Sequence, residues 1–216
     1  MWCKVCNIET NEKICPVCNT HTTEDIPVEV YWCEECKTPL IHEISQANKG
    51  ICPICGHKGK YLTTDLRPVF PEERLLLELL LGKRPNEFVE SSVWASNNRY
   101  YVDGETYTLP NKLFNSADTD ELQKELALYK KDNSYEFFDK HIEKFIRANQ
   151  FRCDFLITEA HEFIQEVSKK VPPEKIVLSF SGGKDSTVTA DVVIKALGNP
   201  SLVHIFGNTT LEFPAT

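Results

Sequence analysis

Eight of the nine cysteines lie in the first 55 residues, in four C-x-x-C pairs: Cys3/Cys6, Cys15/Cys18, Cys33/Cys36 and Cys52/Cys55. This segment is short of long apolar runs, so it cannot bury much core and needs staples to fold. Disulfide frameworks serve secreted mini-domains. The N-terminus, "MWCKVC", has no basic segment followed by an apolar one, so it carries no secretory signal, and in such a chain the pattern points to metal. A C-x-x-C knuckle supplies two thiolates, and two facing knuckles complete a tetrahedral site. In chain order, Cys3, Cys6, Cys15 and Cys18 form a first ribbon with eight residues between pairs. Cys33, Cys36, Cys52 and Cys55 form a second with fifteen. A crossed arrangement, with pairs one and three on one metal, is less economical. Zinc is favoured over iron, although four sulfurs suit either. With every ligand a thiolate and no open position, both sites read as structural. Pro16 and Pro53 stiffen two knuckles, and Gly56 relieves the turn after Cys55.

The rest of the composition narrows the setting. The chain of 216 residues is 41% hydrophobic and 26% charged, ordinary for a globular protein of one or two domains. No run approaches the roughly 18 apolar residues of a membrane span. These features suggest a cytoplasmic protein without a membrane partner. The net charge of −8 argues against a broad basic surface, so tandem ribbons that grip nucleic acid are less favoured than ribbons that fold or dock the N-terminus. His21 and His57 lie just past cysteine pairs and are read as surface residues, because each quartet is already complete. His141 and His161 sit in a helical run as solvated or packed residues. Cys153 reads as a small buried hydrophobe.

Four regions are expected along the chain. Residues 1–62 hold the tandem zinc ribbons. Residues 63–115 form a small α+β module: a helix over about 72–81 ends at Gly82, and Asp103-Gly104 turns a β-hairpin between "RYYV" and "ETYTL". Residues 116–171 are helical, with a cap at Ser116 or Asp118 and one long run from about Ser134 to Lys170. Residues 172–216 begin a doubly wound parallel α/β domain.

That last region carries the most informative motif. Ile176, Val177, Leu178 and Phe180 form a β-favouring run. Ser181, Gly182 and Gly183 turn, and Lys184, Asp185, Ser186 and Thr187 open a helix. A strand, a glycine turn and a helix N-terminus aim free N–H groups and a positive dipole end at one spot, which suits phosphate. It is not a Walker A loop, because Leu178 and Asp185 stand where that pattern needs Gly and a hydroxyl residue. It is not a dinucleotide G-x-G-x-x-G either.

The "SGGKDS" run at 181–186 resembles the pyrophosphate loop, S-G-G-x-D-S, of the ATP pyrophosphatases and sulfonucleotide reductases. A second strand, "LVHIFGN", and the following "TTLEFPAT" resemble the N/D-T-G-L-E-F-P-E-T segment of phosphoadenosine phosphosulfate (PAPS) reductase-like proteins. In some of these, N-terminal zinc ribbons and an "RPVFPEERLLLE"-like stretch also precede the nucleotide domain. Thr210 and Ala215 depart from the family's Gly and Glu. The resemblance implies an adenine nucleotide alpha hydrolase-like fold that binds PAPS or ATP. Ser181, Gly182, Gly183 and Ser186 would hold phosphates. Lys184 would add charge, and Asp185 would orient the loop or stand near magnesium. Asn208, Thr209 and Glu212 would line the carboxyl edge of the second strand. A doubly wound sheet needs about five strands, and two are in view. The expectation is therefore a missing C-terminal half, in the same or another chain, and no catalytic nucleophile is named.

Three functions compete on this reading. The first is a PAPS reductase-like enzyme of sulfur metabolism, served by a reductant protein. The second is an ATP pyrophosphatase that adenylates a substrate in tRNA or DNA sulfur modification. The third is a non-catalytic, zinc-stabilised module that binds nucleic acid or protein.

Overall fold

The computed structural model of the protein describes residues 1–23, 27–110, 119–129, 135–172 and 175–207. The chain divides into two compact units, residues 1–150 and 151–216.

The first unit is built mostly of antiparallel strands that neighbour each other in sequence. β1 (Trp2–Cys3) pairs with β2 (Ile8–Glu9), and Thr23 closes back on Trp2. β3 (Val28–Cys33), β4 (Thr38–Glu43) and β5 (Lys60–Thr63) form a sheet of order β4-β3-β5. β6 (Arg67–Pro68), β7 (Val93–Ser96), β8 (Arg99–Val102) and β9 (Glu105–Thr108) form a meander in that order. Between β6 and β7 runs α1 (Pro71–Leu80), which opens on proline with Glu72 and Glu73 in its first turn. That placement suits the missing proline N–H and the helix dipole. The helix lies within a residue of its expected bounds. Its buried Arg74 and Glu78 pair at 2.6 Å, and Glu78 also accepts the backbone N–H groups of Asn86 and Phe88. α2 (Thr119–Tyr129) follows, and the expected caps at Ser116 and Asp118 lie outside the described residues.

The two larger sheets are joined by buried aromatics. Trp32, the penultimate residue of β3, clusters with Trp94 of β7 and Tyr101 of β8. Leu62, Leu66, Ile142 and Phe145 pack against them. The β8–β9 turn lies directly on this joint. Gly104 has φ +87°, and a β-carbon there would come within 2.5 Å of the Trp32 indole. The hairpin signal at Asp103-Gly104 therefore marks both a turn and a close approach.

The expected single helical run from 134 to 170 is instead two helices, α3 (Tyr135–Ala148) and α4 (Gln150–Ser168). They break at Asn149, whose side chain bonds to the backbone of β4 rather than to solvent. Helical spacing of apolar residues continues across the break, so periodicity alone could not show it.

The second unit contains α4, β10 (Val177–Phe180), α5 (Lys184–Leu197) and β11 (Val203–Phe206). β10 and β11 are parallel and in register from Val177↔Val203 to Phe180↔Phe206. Its small core is Leu178, Ala190 and Leu202, flanked by Ile176, Val193, Ile194 and Leu197. Cys153, expected to be buried, is half-buried, on a helix with no fully buried residue. Among the described residues, no helix is long and apolar enough to cross a membrane.

Gly104→Val is expected to lower the stability of the first unit by at least about 2 kcal/mol, because it combines a left-handed backbone with overpacking against Trp32. Urea unfolding followed by tryptophan fluorescence would measure this. An unchanged midpoint would show that the turn does not rest on the indole.

Candidate metal centres and phosphate loop

The eight paired cysteines gather in sequence order rather than crossed. The sulfurs of Cys3, Cys6, Cys15 and Cys18 all lie within 4.8 Å of one another, as do those of Cys33, Cys36, Cys52 and Cys55. Individual separations include 3.4 Å for Cys3–Cys18, 3.5 Å for Cys33–Cys55 and 3.8 Å for Cys36–Cys52. A tetrahedron with Zn–S bonds near 2.3 Å has edges of about 3.8 Å. Disulfide sulfurs would stand about 2.05 Å apart. Both quartets are thus placed to hold zinc. Neither includes a histidine, and His21 and His57 are exposed.

All four knuckles share one backbone device. In each pair the first cysteine is buried and the second half-buried. The residue after the second cysteine is left-handed: Asn7 at φ 55°, Asn19 at 57°, Lys37 at 50° and Gly56 at 75°. In three of them its N–H returns to the carbonyl of the first cysteine, at 2.8 Å for Asn7 and Gly56 and 2.9 Å for Asn19. Gly and Asn take this conformation readily, and Lys does not. The sequence reading identified Gly56 and passed over Asn7 and Asn19, although an Asn directly after C-x-x-C was the available signal.

The electrostatics of the clusters favour a cation. The Cys6 backbone N–H donates to Cys3 Sγ at 3.3 Å and is the main reason the Cys3 pKa falls to about 6. Cys55 also falls to about 6, chiefly through the backbone N–H of His57. Their neighbours move the other way. Hydrogen bonding with Cys18, then burial, pushes Cys6 up to about 12. Burial pushes Cys33 up to about 11 and Cys36 higher still. Crowded thiols cannot all ionise against one another, and a divalent ion removes that conflict.

In the second unit, β10 delivers the chain to Ser181, and α5 begins at Lys184 with Gly183 as its N-cap. No side chain caps that helix start. Gly182 is left-handed at φ 76°, so the turn itself requires glycine there. Gly183 differs from Gly182. Its φ is −80°, and a β-carbon would meet only Ser181 Oγ, at 3.5 Å. The fold therefore does not exclude a side chain at 183, and any exclusion must come from a ligand.

Ser186 closes the turn. Its hydroxyl accepts from the Ser181 N–H at 3.3 Å and the Ser181 hydroxyl at 3.2 Å, and donates to the Gly183 carbonyl at 2.9 Å. Thr187, expected only to help open the helix, reaches the same carbonyl through its N–H at 3.1 Å and its hydroxyl at 3.0 Å. Lys184 and Asp185 pair with each other, with side chains 88% and 89% exposed. Ser181, Gly182, Gly183, Lys184, Asp185 and Ser186 thus share one exposed turn at a helix N-terminus. Asn208, Thr209 and Glu212 lie outside the described residues.

Comparison with known proteins meets the chain at this loop. Residues 156–207 match the model of the NAD synthase family, a PP-loop family of the adenine nucleotide alpha hydrolase superfamily. An uncharacterised protein of Methanocaldococcus jannaschii is 35% identical over 88 residues, which are 41% of this chain and 18% of that protein. The match therefore spans less than a fifth of that relative's length. No solved structure matches the chain.

Elemental analysis of protein purified without added metal is expected to return about two zinc ions per chain, one per quartet. A result without zinc or iron would refute the metal assignment. Lys37→Gly should raise the stability of the zinc-loaded second cluster by about 0.5–1 kcal/mol by relieving the left-handed lysine. The lost Lys37–Glu34 pair is exposed and contributes little. A lower melting temperature would refute that explanation.

Proposed function

We propose that the chain is a zinc-stabilised part of an ATP-using enzyme that adenylates its substrate and releases pyrophosphate. The observation that carries this reading is the Ser181–Ser186 turn at an uncapped helix N-terminus, within the stretch that matches the NAD synthase family. The backbone N–H groups of the turn and of the first residues of α5 hold phosphate oxygens, supported by the Ser181 and Ser186 hydroxyls. When bound, ATP supplies the α–β phosphoanhydride at which adenylation occurs. Gly183 leaves room for phosphate to approach the backbone. Asn208, Thr209 and Glu212 are assigned to the same pocket by their position after β11. Magnesium near Asp185 belongs to the same proposal.

The remaining regions take supporting roles. Residues 1–62 are two zinc ribbons, residues 63–115 the α+β module, residues 116–171 the helical segment and residues 172–216 the nucleotide-binding region. Parallel sheets are ordinarily covered on both faces. Val177, Val203, Ile205 and Phe206 are between 44% and 59% exposed. Further strands, from this chain or another, complete the sheet and the pocket. Reduced thiolates for zinc fit a cytoplasmic location.

A PAPS reductase-like enzyme is the second reading, and the "NTTLEFPAT" segment at 208–216 favours it. Calorimetry with ATP and with PAPS, together with a pyrophosphate-release assay, separates the two. Tight ATP binding with pyrophosphate release is expected, and selective PAPS binding without that release would establish the reductase reading. Gly183→Val should weaken nucleotide binding at least about tenfold while leaving the zinc content unchanged. Undiminished binding by this variant would remove the loop from the site. If neither nucleotide binds even when the sheet is complete, the non-catalytic module is the correct description.

A further inference from the structure

The break between α3 and α4 lies beside the second cysteine cluster. Ala148, the last residue of α3, is buried together with Cys33, Cys52 and Leu40. Cys33 and Cys52 are the buried members of the second quartet. Asn149 is 5% exposed, and its side chain makes three hydrogen bonds to backbone groups. Its Oδ1 accepts the Ile41 backbone N–H at 2.6 Å. Its Nδ2 donates to the Pro39 carbonyl at 3.0 Å and to the Phe145 carbonyl at 2.8 Å.

Pro39 and Ile41 belong to β4, which pairs with β3 on its other side. The Asn149 carboxamide therefore gives β4 one acceptor and one donor, as a peptide group of a neighbouring strand would. It covers part of an edge that would otherwise expose unpaired backbone groups. It also ends α3, because its side chain is committed to the sheet.

We propose that Asn149 is a metal-dependent clamp: filling the second cysteine quartet fixes the β4 edge and Leu40, and Asn149 then holds the end of α3 and the chain at 149–150 to that edge. The proposal rests on the zinc reading of the second quartet. The physical link is short. Cys33 ends β3, Leu40 lies in β4, and Ala148 packs in the same buried cluster as Cys33 and Cys52. If metal binding and clamp closure favour the same state, each must strengthen the other by the same factor. The clamp is a positioning contact and places no donor on the metal. Among the described residues the first quartet has no such clamp, so the two sites should respond differently.

The test is a chelator titration of the zinc-loaded 216-residue chain, unmutated and as Asn149→Leu, which keeps the branched side-chain shape and removes the hydrogen bonds. Amide exchange of Ile41 is followed by NMR in parallel. In the variant, zinc should leave the second quartet at roughly tenfold lower chelator concentration, with the first quartet unchanged. In the unmutated protein, zinc removal should speed Ile41 exchange at least about tenfold, while amides of Val93–Ser96 keep their protection. If Asn149→Leu fails to fold, the exchange measurement on unmutated protein decides alone. Coincident release curves, or Ile41 protection indifferent to zinc, would overturn the clamp. A chain that never binds zinc overturns the metal reading and the clamp with it, and elemental analysis distinguishes that failure from loss of the clamp alone.

Discussion

The packing of Trp32 between two sheets is the contact on which the first unit depends. Its backbone belongs to the sheet that carries the second cysteine cluster, one residue before Cys33, and its indole meets Trp94 and Tyr101 of the four-stranded meander. Burying a tryptophan contributes on the order of 3–5 kcal/mol against truncation. That is a large share of the roughly 5–15 kcal/mol by which a domain of this kind is typically stable. The same indole sets the position of the β8–β9 turn through Gly104, and it adjoins Ile142 and Phe145 of α3. One side chain thus ties together cysteine sheet, meander and helix, three elements that share little backbone hydrogen bonding.

The division of labour between the two units follows from their chemistry. The first has aromatic and thiol groups that fix geometry and, among its described residues, two sulfur quartets spaced for a tetrahedral ion. The second has a glycine turn whose polar groups are spent partly on itself: Ser186 and Thr187 both bind the Gly183 carbonyl. The turn is therefore already shaped before any ligand arrives. A β-carbon at Gly183 would meet only Ser181 Oγ, in ordinary contact, so the fold itself leaves that position unfilled. The proposed role in holding phosphate would profit from this preformed turn, because flexible donors lose entropy on binding.

Much of this was legible in the sequence, for identifiable reasons. The cysteine spacing predicted two groups in chain order because a knuckle is a local structure, and local structure is what spacing encodes. The Asp103-Gly104 hairpin and the strand–turn–helix at 177–197 were equally local. Asn149 was invisible, because its partners lie at Pro39 and Ile41 and the apolar period runs through it unchanged. The burial of the Arg74–Glu78 pair was hidden for the same reason: the N–H groups that Glu78 accepts, from Asn86 and Phe88, lie in a later turn. The demand for glycine at 182 but not at 183 depends on a single backbone angle, which two adjacent identical letters cannot distinguish.

The bond from Asn149 to Ile41 spans 108 residues, far more than the neighbouring-strand pairs of the cysteine sheet. The ribosome adds about 5–20 residues per second, so β4 emerges several seconds before the residue that covers its edge. During that interval the cysteine sheet is a nascent structure with an open template strand, able to pair with another nascent chain on the same message. A contact that closes this late cannot guide the assembly of the sheet and can only secure it once it has formed.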